Sequence, residues 1–170
     1  MNTLEELGRK YGTDKGTKHH YLPVYFDLFE NKRNSVRKVV EVGAGEGAGL
    51  RMFRDFFPRA WIYGVEIDPD RVFTEDRIKV FLCDQSSKGD LLGLIKKIGN
   101  NIDLFTDDGS HIPKDQIFTC QTIMPLLKEG AIYIIEDVAD EGIVRWLDEY
   151  KPEMIRVGKR YDDRLIIIKK

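Results

Sequence analysis

The sequence predicts an α/β fold built on one doubly wound, mainly parallel sheet. Three observations lead to this prediction. Short β-branched runs alternate along the chain with segments of helical spacing. No repeat, low-complexity tract or Pro/Ser-rich linker divides the 170 residues, which favours a single domain. The last two apolar runs are joined only by GKRYDD, so we expect a C-terminal antiparallel strand pair.

The elements are expected in a regular order. VRKVVEV (36–42) is a β-branched strand that stops at Gly43, and the next segment has apolar residues at helical spacing until Pro58 closes it. The expected strands are 36–42, 61–67, 78–84, 102–108, 131–137, 152–158 and 163–169. The expected helices are 47–57, 90–98 with Asp90 as its N-cap, 114–128 and 141–150. Residues 1–35 are expected to form a helical lid segment, and residues 36–170 the core.

Composition and charge exclude several classes of protein. The net charge of −2 and pI near 6.0 give no electrostatic reason to expect nucleic-acid or anionic-membrane binding. The apolar runs are far shorter than the roughly 20 residues of a membrane helix, and the N-terminus lacks the apolar core of a signal peptide. Cys83 and Cys120 lack metal-ligand spacing. They are expected to be buried thiols in a reducing compartment, which favours the cytoplasm.

The polar residues of unusual type lie where the predicted strands end. In parallel sheets ligands bind outside the carboxyl ends of the strands, near the point where the strand order reverses. We therefore expect the following residues to converge on one rim of the sheet: the stretch 41–49, Glu66, Asp68, Asp84, Gln85, the stretch 107–111, Glu136 and Asp137.

EVGAGEGAG (41–49) is a glycine-rich turn between a strand and a helix. Such a turn allows a ligand to approach the backbone closely, although some plain turns share it. The spacing G-x-G-x-G differs from the G-x-G-x-x-G of nicotinamide dinucleotide sites, which argues against an oxidoreductase. Glu41 beneath the loop suits a ligand that carries positive charge better than a pyrophosphate.

Two further acids follow at the next strand ends. Glu66 can accept both hydroxyls of a ribose, and Asp84 can accept from an adenine amino group, with Cys83 or Gln85 beside the ring. Each acid alone could equally be a helix N-cap or a solvated strand end. Together, at successive strand ends, they favour an adenosine site.

FTDDGSHIPKD (105–115) concentrates two acids and a base. Asp108, Glu136 and Asp137 repel one another unless a proton or cation intervenes, and Mg²⁺ is the cation that carboxylates and substrate oxygens suit. His111 has an ordinary pKa near 6.5, which suits a general base. The alternative is that Asp107 and Asp108 cap a helix and that His111 packs against it.

The chain resembles the class I S-adenosylmethionine-dependent methyltransferases over almost its whole length. The residues that carry the resemblance are EVGAGEG, the acid of YGVEIDPD and the CDQ segment. The resemblance implies a Rossmann-like fold that binds S-adenosylmethionine. Glu41, Gly43 and Gly45 would hold its methionine end, Glu66 the ribose and Asp84 the adenine. Gln85 and Asp107 are further expected cofactor residues, Asp107 in a supporting or capping role that it could exchange with Asp108.

YGTDKGTKHHYLPVYFDLF, LRMFRDFFPRAWIYGVEID, CDQ, DDGSHI and PLLKEGAIYIIEDV also resemble the macrocin-type sugar O-methyltransferases. That family uses Mg²⁺, and its members are longer, with added elements that shape the acceptor pocket and support oligomers. The resemblance implies Asp108, Glu136 and Asp137 as metal ligands and His111 as the base that deprotonates the attacking hydroxyl. The N-terminal residues that it implies near the cofactor and the cleft are Tyr11, Thr13, Asp14, Lys15, His20 and Tyr21, of which we expect Lys15 and Tyr21 to contact the cofactor.

The acceptor implied is a small molecule or carbohydrate: a glycosylated natural product, a nucleotide sugar or a polysaccharide terminus. A catechol-like diol would suit the same metal and base, and a non-catalytic cofactor-binding module is a further alternative. Trp146 and Tyr161 could contact a sugar ring, although packing is the expectation for both. His19 and His20 have no third nitrogen or sulfur ligand nearby.

Overall fold

The computed structural model describes residues 3–170 and contains one eight-stranded sheet. Its strands are β1 (Lys38–Val42), β2 (Trp61–Glu66), β3 (Thr74–Glu75), β4 (Ile78–Leu82), β5 (Leu104–Asp107), β6 (Ile132–Ile135), β7 (Glu153–Arg156) and β8 (Arg164–Lys169). The strand order is β3-β4-β2-β1-β5-β6-β8-β7. Strands β4, β2, β1, β5 and β6 are parallel, whereas β8 pairs antiparallel with β6 and with β7. The predicted α/β fold with a C-terminal antiparallel pair is confirmed.

The helices lie on both faces of the sheet. They are α1 (Leu4–Tyr11), α2 (Asp14–Thr17), α3 (Leu22–Phe29), α4 (Ala48–Phe56), α5 (Lys88–Ile98) and α6 (Pro113–Ile123). Apolar residues of α1, α3 and α4 pack with one face of the sheet into a first core, and those of α5 and α6 pack with the other face into a second. The N-terminal segment therefore shares the first core with the sheet and does not stand apart from it.

Three details of the expected elements are wrong. Helix α5 begins at Lys88, and its N-cap is Ser87, whose hydroxyl accepts from the backbone N–H of Asp90, so Asp90 lies within the first turn. The expected helix 114–128 ends at Ile123 and continues as a 3₁₀ turn, since Pro125 removes a backbone donor. The expected helix at 141–150 is two 3₁₀ turns. Strand β3 has only two residues and was not predicted.

Two smaller expectations concern cysteines and membranes. Cys83 and Cys120 are both free and buried, as predicted. Among residues 3–170, none of the helices combines the length and the apolar character needed to span a bilayer.

Candidate functional site

A cavity of about 720 Å³ opens at the carboxyl ends of the parallel strands. Its walls come from the β1–α4 loop, the ends of β2, β4 and β5, and the N-terminal residues 12–15. The predicted site residues that line it are Lys15, Glu41, Gly43, Gly45, Glu66, Asp84, Gln85, Asp108 and His111. The acids that follow successive strands along the chain therefore face one shared space.

The glycine residues of the β1–α4 loop expose bare backbone to the cavity, because glycine has no side chain. Gly43 has φ +83°, and a Cβ there would lie 1.9 Å from the carbonyl oxygen of Asp108. Gly43 thus allows the end of β1 to touch the turn that follows β5. Gly45 has φ +49°, and no atom lies within 4 Å of the place that a Cβ would occupy, so its backbone faces open space. The loop leaves room for a ligand to approach the backbone, whose N–H groups at Gly43, Ala44, Gly45 and Gly47 already donate within the protein.

Glu66 is the acid whose geometry best suits a ribose. One carboxylate oxygen accepts from the backbone N–H of Gly45 at 2.9 Å, and the other accepts from Ile67 and Asp68 at 2.9 and 3.2 Å. These three donors fix the carboxylate at the cavity wall and leave about one of its roughly four acceptor positions, on Oε2, for a ribose hydroxyl. Asp84 lies at the same wall, half-buried, and accepts from the backbone N–H and hydroxyl of Ser86.

Gln85 and Asp107 support the wall from behind. The Gln85 amide donates to Asp107 and to Thr119, and its carbonyl accepts from the backbone N–H of Ser110 at 2.7 Å. Asp107 is fully buried and does not line the cavity; burial raises its pKa to about 7. Its position is that of a supporting residue beneath the turn that carries Asp108.

Lys15 joins two buried carboxylates and a half-buried one. Its ammonium lies 3.0 Å from Glu41, 2.5 Å from Asp108 and 2.8 Å from Glu136. Burial would lower the pKa of Lys15, but the three acids outweigh it and the pKa is raised well above its ordinary value. Lys15 is only 2% exposed, so it holds the N-terminal segment against the ends of three strands.

One ammonium does not neutralise three acids. Burial raises the pKa of Glu41 to about 6 and that of Glu136 to about 8, despite the attraction of Lys15. Burial opposes ionisation of Asp108 as well, but Lys15 and a hydrogen bond from His111 outweigh it and lower the pKa of Asp108. The raised pKa values mean that protons relieve part of the repulsion between these acids, and a further cation would take the place of those protons.

Asp108, His111 and Asp137 form a cluster in which Asp108 and His111 line the cavity and Asp137 is buried behind them. One ligand atom from each lies within 4.8 Å of the others. His111 Nε2 lies 3.1 Å from Asp108 Oδ1, and His111 Nδ1 lies 3.5 Å from Asp137 Oδ2. His111 and Asp137 both have left-handed backbones, with φ +57° and +51°. Such strain persists only where the surroundings hold it, and it is concentrated at functional sites.

The electrostatics of this cluster fit a small hard cation. His111 is hydrogen-bonded to Asp108 and lies near the charges of Asp108 and Asp137. These contacts raise the pKa of His111 to about 9 in spite of partial burial. Carboxylate oxygens are the donors that Mg²⁺ prefers. Glu136, the third predicted ligand, lies apart from the cluster: its oxygens accept from Lys15 and from the Tyr25 hydroxyl, at 2.8 and 2.5 Å.

The N-terminal segment contributes more than its motif indicated. Tyr21 is buried outside the cavity lining, and its hydroxyl donates to Asp137 Oδ1 at 2.6 Å. Thr13 and Asp14 line the cavity with Lys15. Two implied neighbours of the site lie elsewhere: the Tyr11 hydroxyl donates to Asp55, and His20 is exposed.

Sequence reasoning did not identify Tyr25 or Asp163, and it gave His19 no role. Tyr25 bonds Glu136, and His19 lies between Asp137 and Asp163. An apolar helix pattern hides Tyr25, and Asp163 is separated from His19 by 144 positions. Trp146 and Tyr161, expected to pack, are instead 68% and 69% exposed.

Comparison with known proteins gives consistent results, although no protein-family model matches the chain. The chain is 34% identical over 142 residues to 8-demethyl-8-alpha-L-rhamnosyl tetracenomycin-C 2'-O-methyltransferase of Streptomyces olivaceus, which covers 79% of this chain and 37% of that protein. It is 35% identical over 143 residues to demethylmacrocin O-methyltransferase of Streptomyces fradiae, covering 79% and 36%. It is 34% identical over 143 residues to mycinamicin VI 2''-O-methyltransferase of Micromonospora griseorubida, with the same coverage.

Solved structures agree with the sequence relatives. The MycE methyltransferase of the mycinamycin biosynthetic pathway, solved with Mg and SAH, superposes with a TM-score of 0.82 at 25% identity, over 99% of this chain and 54% of that chain. A second MycE structure, solved with Mg, SAH and mycinamycin VI, gives 0.82 at 26% identity, over 99% and 53%. The chain spans little more than a third of the curated relatives.

Proposed function

The chain is related to the S-adenosylmethionine-dependent sugar O-methyltransferases of the macrocin and mycinamicin type, and on that premise we propose that it methylates a sugar hydroxyl of a glycosylated natural product. By their names, two relatives methylate a rhamnosyl tetracenomycin and mycinamicin VI, and MycE was solved with mycinamycin VI. The observation that carries the proposal is the Asp108–His111–Asp137 cluster, of which Asp108 and His111 line a cavity walled by the glycine loop.

Each cofactor residue lies where it would contact one part of S-adenosylmethionine. The loop with Gly43 and Gly45 admits the methionine end of S-adenosylmethionine, and Glu41 beneath it favours a sulfonium and an ammonium over phosphates. Glu66, already fixed by three backbone donors, accepts a ribose hydroxyl at its remaining acceptor position. Asp84 accepts from the adenine amino group. Lys15 and Tyr21 serve this site by holding its carboxylates.

Asp108 and Asp137 would hold Mg²⁺, with Glu136 as a third ligand if it exchanges Lys15 for the cation. When bound, Mg²⁺ lowers the pKa of a hydroxyl that it contacts. His111 is 42% exposed at the opening, so an acceptor can reach its imidazole. A cation bound by Asp108 and Asp137 would offset the carboxylates that raise the pKa of His111 to about 9, so that the neutral imidazole would accept the hydroxyl proton while Asp108 orients the ring. The hydroxyl oxygen would bond to the methyl carbon as the carbon–sulfur bond breaks, and S-adenosylhomocysteine would leave.

Methyl transfer from labelled S-adenosylmethionine to a panel of rhamnosylated and other deoxysugar-bearing polyketides tests the proposal. We expect His111→Ala to reduce kcat by about 10²- to 10⁴-fold, because the general base is lost. The dissociation constant for S-adenosylmethionine should change by less than about threefold, since no cofactor contact is removed.

His20→Ala is the matched control, because His20 is exposed and outside the cavity lining. EDTA should abolish turnover of the unmodified protein, and Mg²⁺ should restore it. Near-normal turnover by the His111→Ala protein would refute the role of this histidine. Turnover that EDTA leaves unchanged would remove the metal from the mechanism.

A further inference from the structure

His19 is a buried histidine that the proposed reaction does not use. Its side chain is 1% exposed and lies between two carboxylates. Nδ1 is 2.8 Å from Asp163 Oδ1, which is a hydrogen bond, whereas Nε2 is 3.6 Å from Asp137 Oδ1, which is too long for one. The imidazole also stacks on the Tyr21 ring at 4.9 Å with 9° between the planes.

Asp163 is itself held in place by the turn between β7 and β8. Its carboxylate accepts from the backbone N–H of Arg160 at 2.8 Å. Gly158 makes room for it, because a Cβ there would lie 2.1 Å from Asp163 Oδ2. A carboxylate only accepts hydrogen bonds, so Nδ1 of His19 carries the proton of that bond. Among residues 3–170, His19 Nε2 has no hydrogen-bond partner and faces Asp137.

Asp137 has its two oxygens in different surroundings. Oδ1 accepts from the Tyr21 hydroxyl at 2.6 Å and faces His19. Oδ2 lies 3.5 Å from His111 Nδ1, on the side of the opening. The backbone N–H of Asp137 donates to the same Tyr21 oxygen at 3.3 Å, which helps to maintain the left-handed φ of +51°. One oxygen is anchored, and the other is presented to the cluster.

We propose that His19, supported by Asp163, is a positioning residue that fixes Tyr21 and Asp137 so that Asp137 Oδ2 faces the cation. This inference rests on the proposed function, because it assumes that Asp137 is a metal ligand. Side chains that hydrogen-bond to metal ligands affect metal affinity strongly without contacting the metal. Here Tyr21 makes that bond to Asp137, and His19 acts through the Tyr21 ring on which it stacks. The closing turn of the chain thereby acts on the reactive cluster through one imidazole.

The same residues could instead form a separate cation site, since ligand atoms of His19, Asp162 and Asp163 lie within 4.8 Å of one another. The hydrogen bonds argue against this alternative. Nδ1 of His19 is occupied by Asp163, and Asp162 Oδ1 accepts from the Arg160 guanidinium at 3.2 Å. The remaining Nε2 faces Asp137, on the side of the reactive cluster.

The test is calorimetric titration of Mg²⁺ into the protein saturated with S-adenosylhomocysteine, repeated with Mn²⁺ by electron paramagnetic resonance. We expect His19→Ala to weaken Mg²⁺ binding by about 10- to 100-fold. The dissociation constant for S-adenosylhomocysteine should change by less than about threefold. His20→Ala, the neighbouring exposed histidine, should change neither value.

His19→Asn and Asp163→Asn keep the experiment decisive if the alanine variant does not fold. His19→Asn retains a donor near Nδ1 but lacks the ring, so it should weaken Mg²⁺ binding; Asp163→Asn should weaken it less. Equal Mg²⁺ affinity in the unmodified protein and the His19 variants would overturn this inference alone. Equal weakening of Mg²⁺ binding and S-adenosylhomocysteine binding would mean that His19 contributes only general packing. Loss of one of two bound Mg²⁺ ions would indicate a separate site. Either result overturns this inference. No Mg²⁺ binding by the unmodified protein would overturn the proposed metal and this inference together.

Discussion

The cavity has two halves that are built differently. The cofactor half, formed by the β1–α4 loop, Glu66 and Asp84, is held by neighbours close in sequence: Gly45 and Glu66 are 21 positions apart, and Asp84 bonds Ser86. The reactive half, formed by Asp108, His111 and Asp137, is held from a distance. Lys15 reaches Glu136 across 121 positions and Tyr21 reaches Asp137 across 116.

The difference shows that local contacts hold the cofactor half in place, whereas the reactive half needs distant contacts to hold strained residues. Cofactor-half contacts form with the strand ends themselves, through backbone N–H groups. The reactive half carries two left-handed non-glycine residues and several buried acids, so it depends on the N-terminal segment to keep its geometry. The segment expected to be a lid is therefore also a support for the reactive side chains.

Removal of Lys15 should have the largest effect on the stability of the reactive half. Lys15→Met leaves Glu41, Asp108 and Glu136 facing one another without a cation, and breaking buried ion pairs costs about 3–5 kcal/mol. We expect urea denaturation to show a loss of unfolding free energy in that range. Lys18→Met, an exposed residue three positions later, is the control and should show no measurable loss.

A second substitution sharpens the result. Glu136→Gln in the Lys15→Met background removes one of the uncompensated acids, so the double variant should regain part of the lost stability. A Lys15→Met protein as stable as Lys18→Met would contradict the supporting role of the N-terminal segment.

Gly43 joins the two halves, because its Cα faces the Asp108 carbonyl group. Gly43→Ala adds a Cβ that meets backbone at 1.9 Å in a left-handed conformation, so we expect a loss of roughly 3 kcal/mol in unfolding free energy. Cofactor binding, measured by calorimetry, should also weaken at least about tenfold.

Gly130→Ala is the control for Gly43→Ala. Gly130 has φ +78° but no atom within 4 Å of a Cβ, so backbone strain alone should cost about 1 kcal/mol. Equal losses from the two substitutions would mean that contact between the halves does not matter.

Asp55 is expected to give the smallest effect, as a remote anchor of the N-terminal segment. It accepts from Tyr11, Lys10 and Arg54. Burial opposes ionisation, but these hydrogen bonds outweigh it and lower the pKa of Asp55 to about 2. A lowered pKa in the folded state stabilises the protein above the unfolded pKa near 4, and this contribution is lost as the pH falls through about 2.

Since the Asp55 side chain is 26% exposed, we expect only about 1–2 kcal/mol between the unmodified protein and Asp55→Asn at pH 7. Denaturation between pH 2 and pH 7 should show this difference shrinking below about pH 4 and vanishing near pH 2. A difference independent of pH would contradict the anchoring role.

The same contrast explains how much could be predicted from the sequence. Strand alternation predicted the sheet, and the acids at strand ends predicted the cavity wall, because both patterns are local and repeat along the chain. Strand β3 has too few residues to show an alternating hydrophobic pattern. The segment 141–150, expected to be a helix, forms 3₁₀ turns because tertiary packing overrides a weak pattern.

Side chains of the reactive half were only partly predictable. DDGSH and IIED predicted that Asp108, His111 and Asp137 lie close together, but no local pattern indicated that Glu136 would bond Lys15 and Tyr25. His19 was set aside because no nitrogen or sulfur ligand follows it in sequence, whereas its partners are carboxylates brought close only by the closing hairpin.

Calorimetric titration with S-adenosylmethionine and S-adenosylhomocysteine, each with and without Mg²⁺ and with NAD as the control, tests the central claim most directly. We predict micromolar binding of both sulfur compounds and none of NAD, because the loop and Glu66 suit adenosine with a cationic tail. The affinity should depend little on Mg²⁺, since the cofactor half is held independently. A folded protein that binds neither compound, or binds NAD instead, would contradict the account.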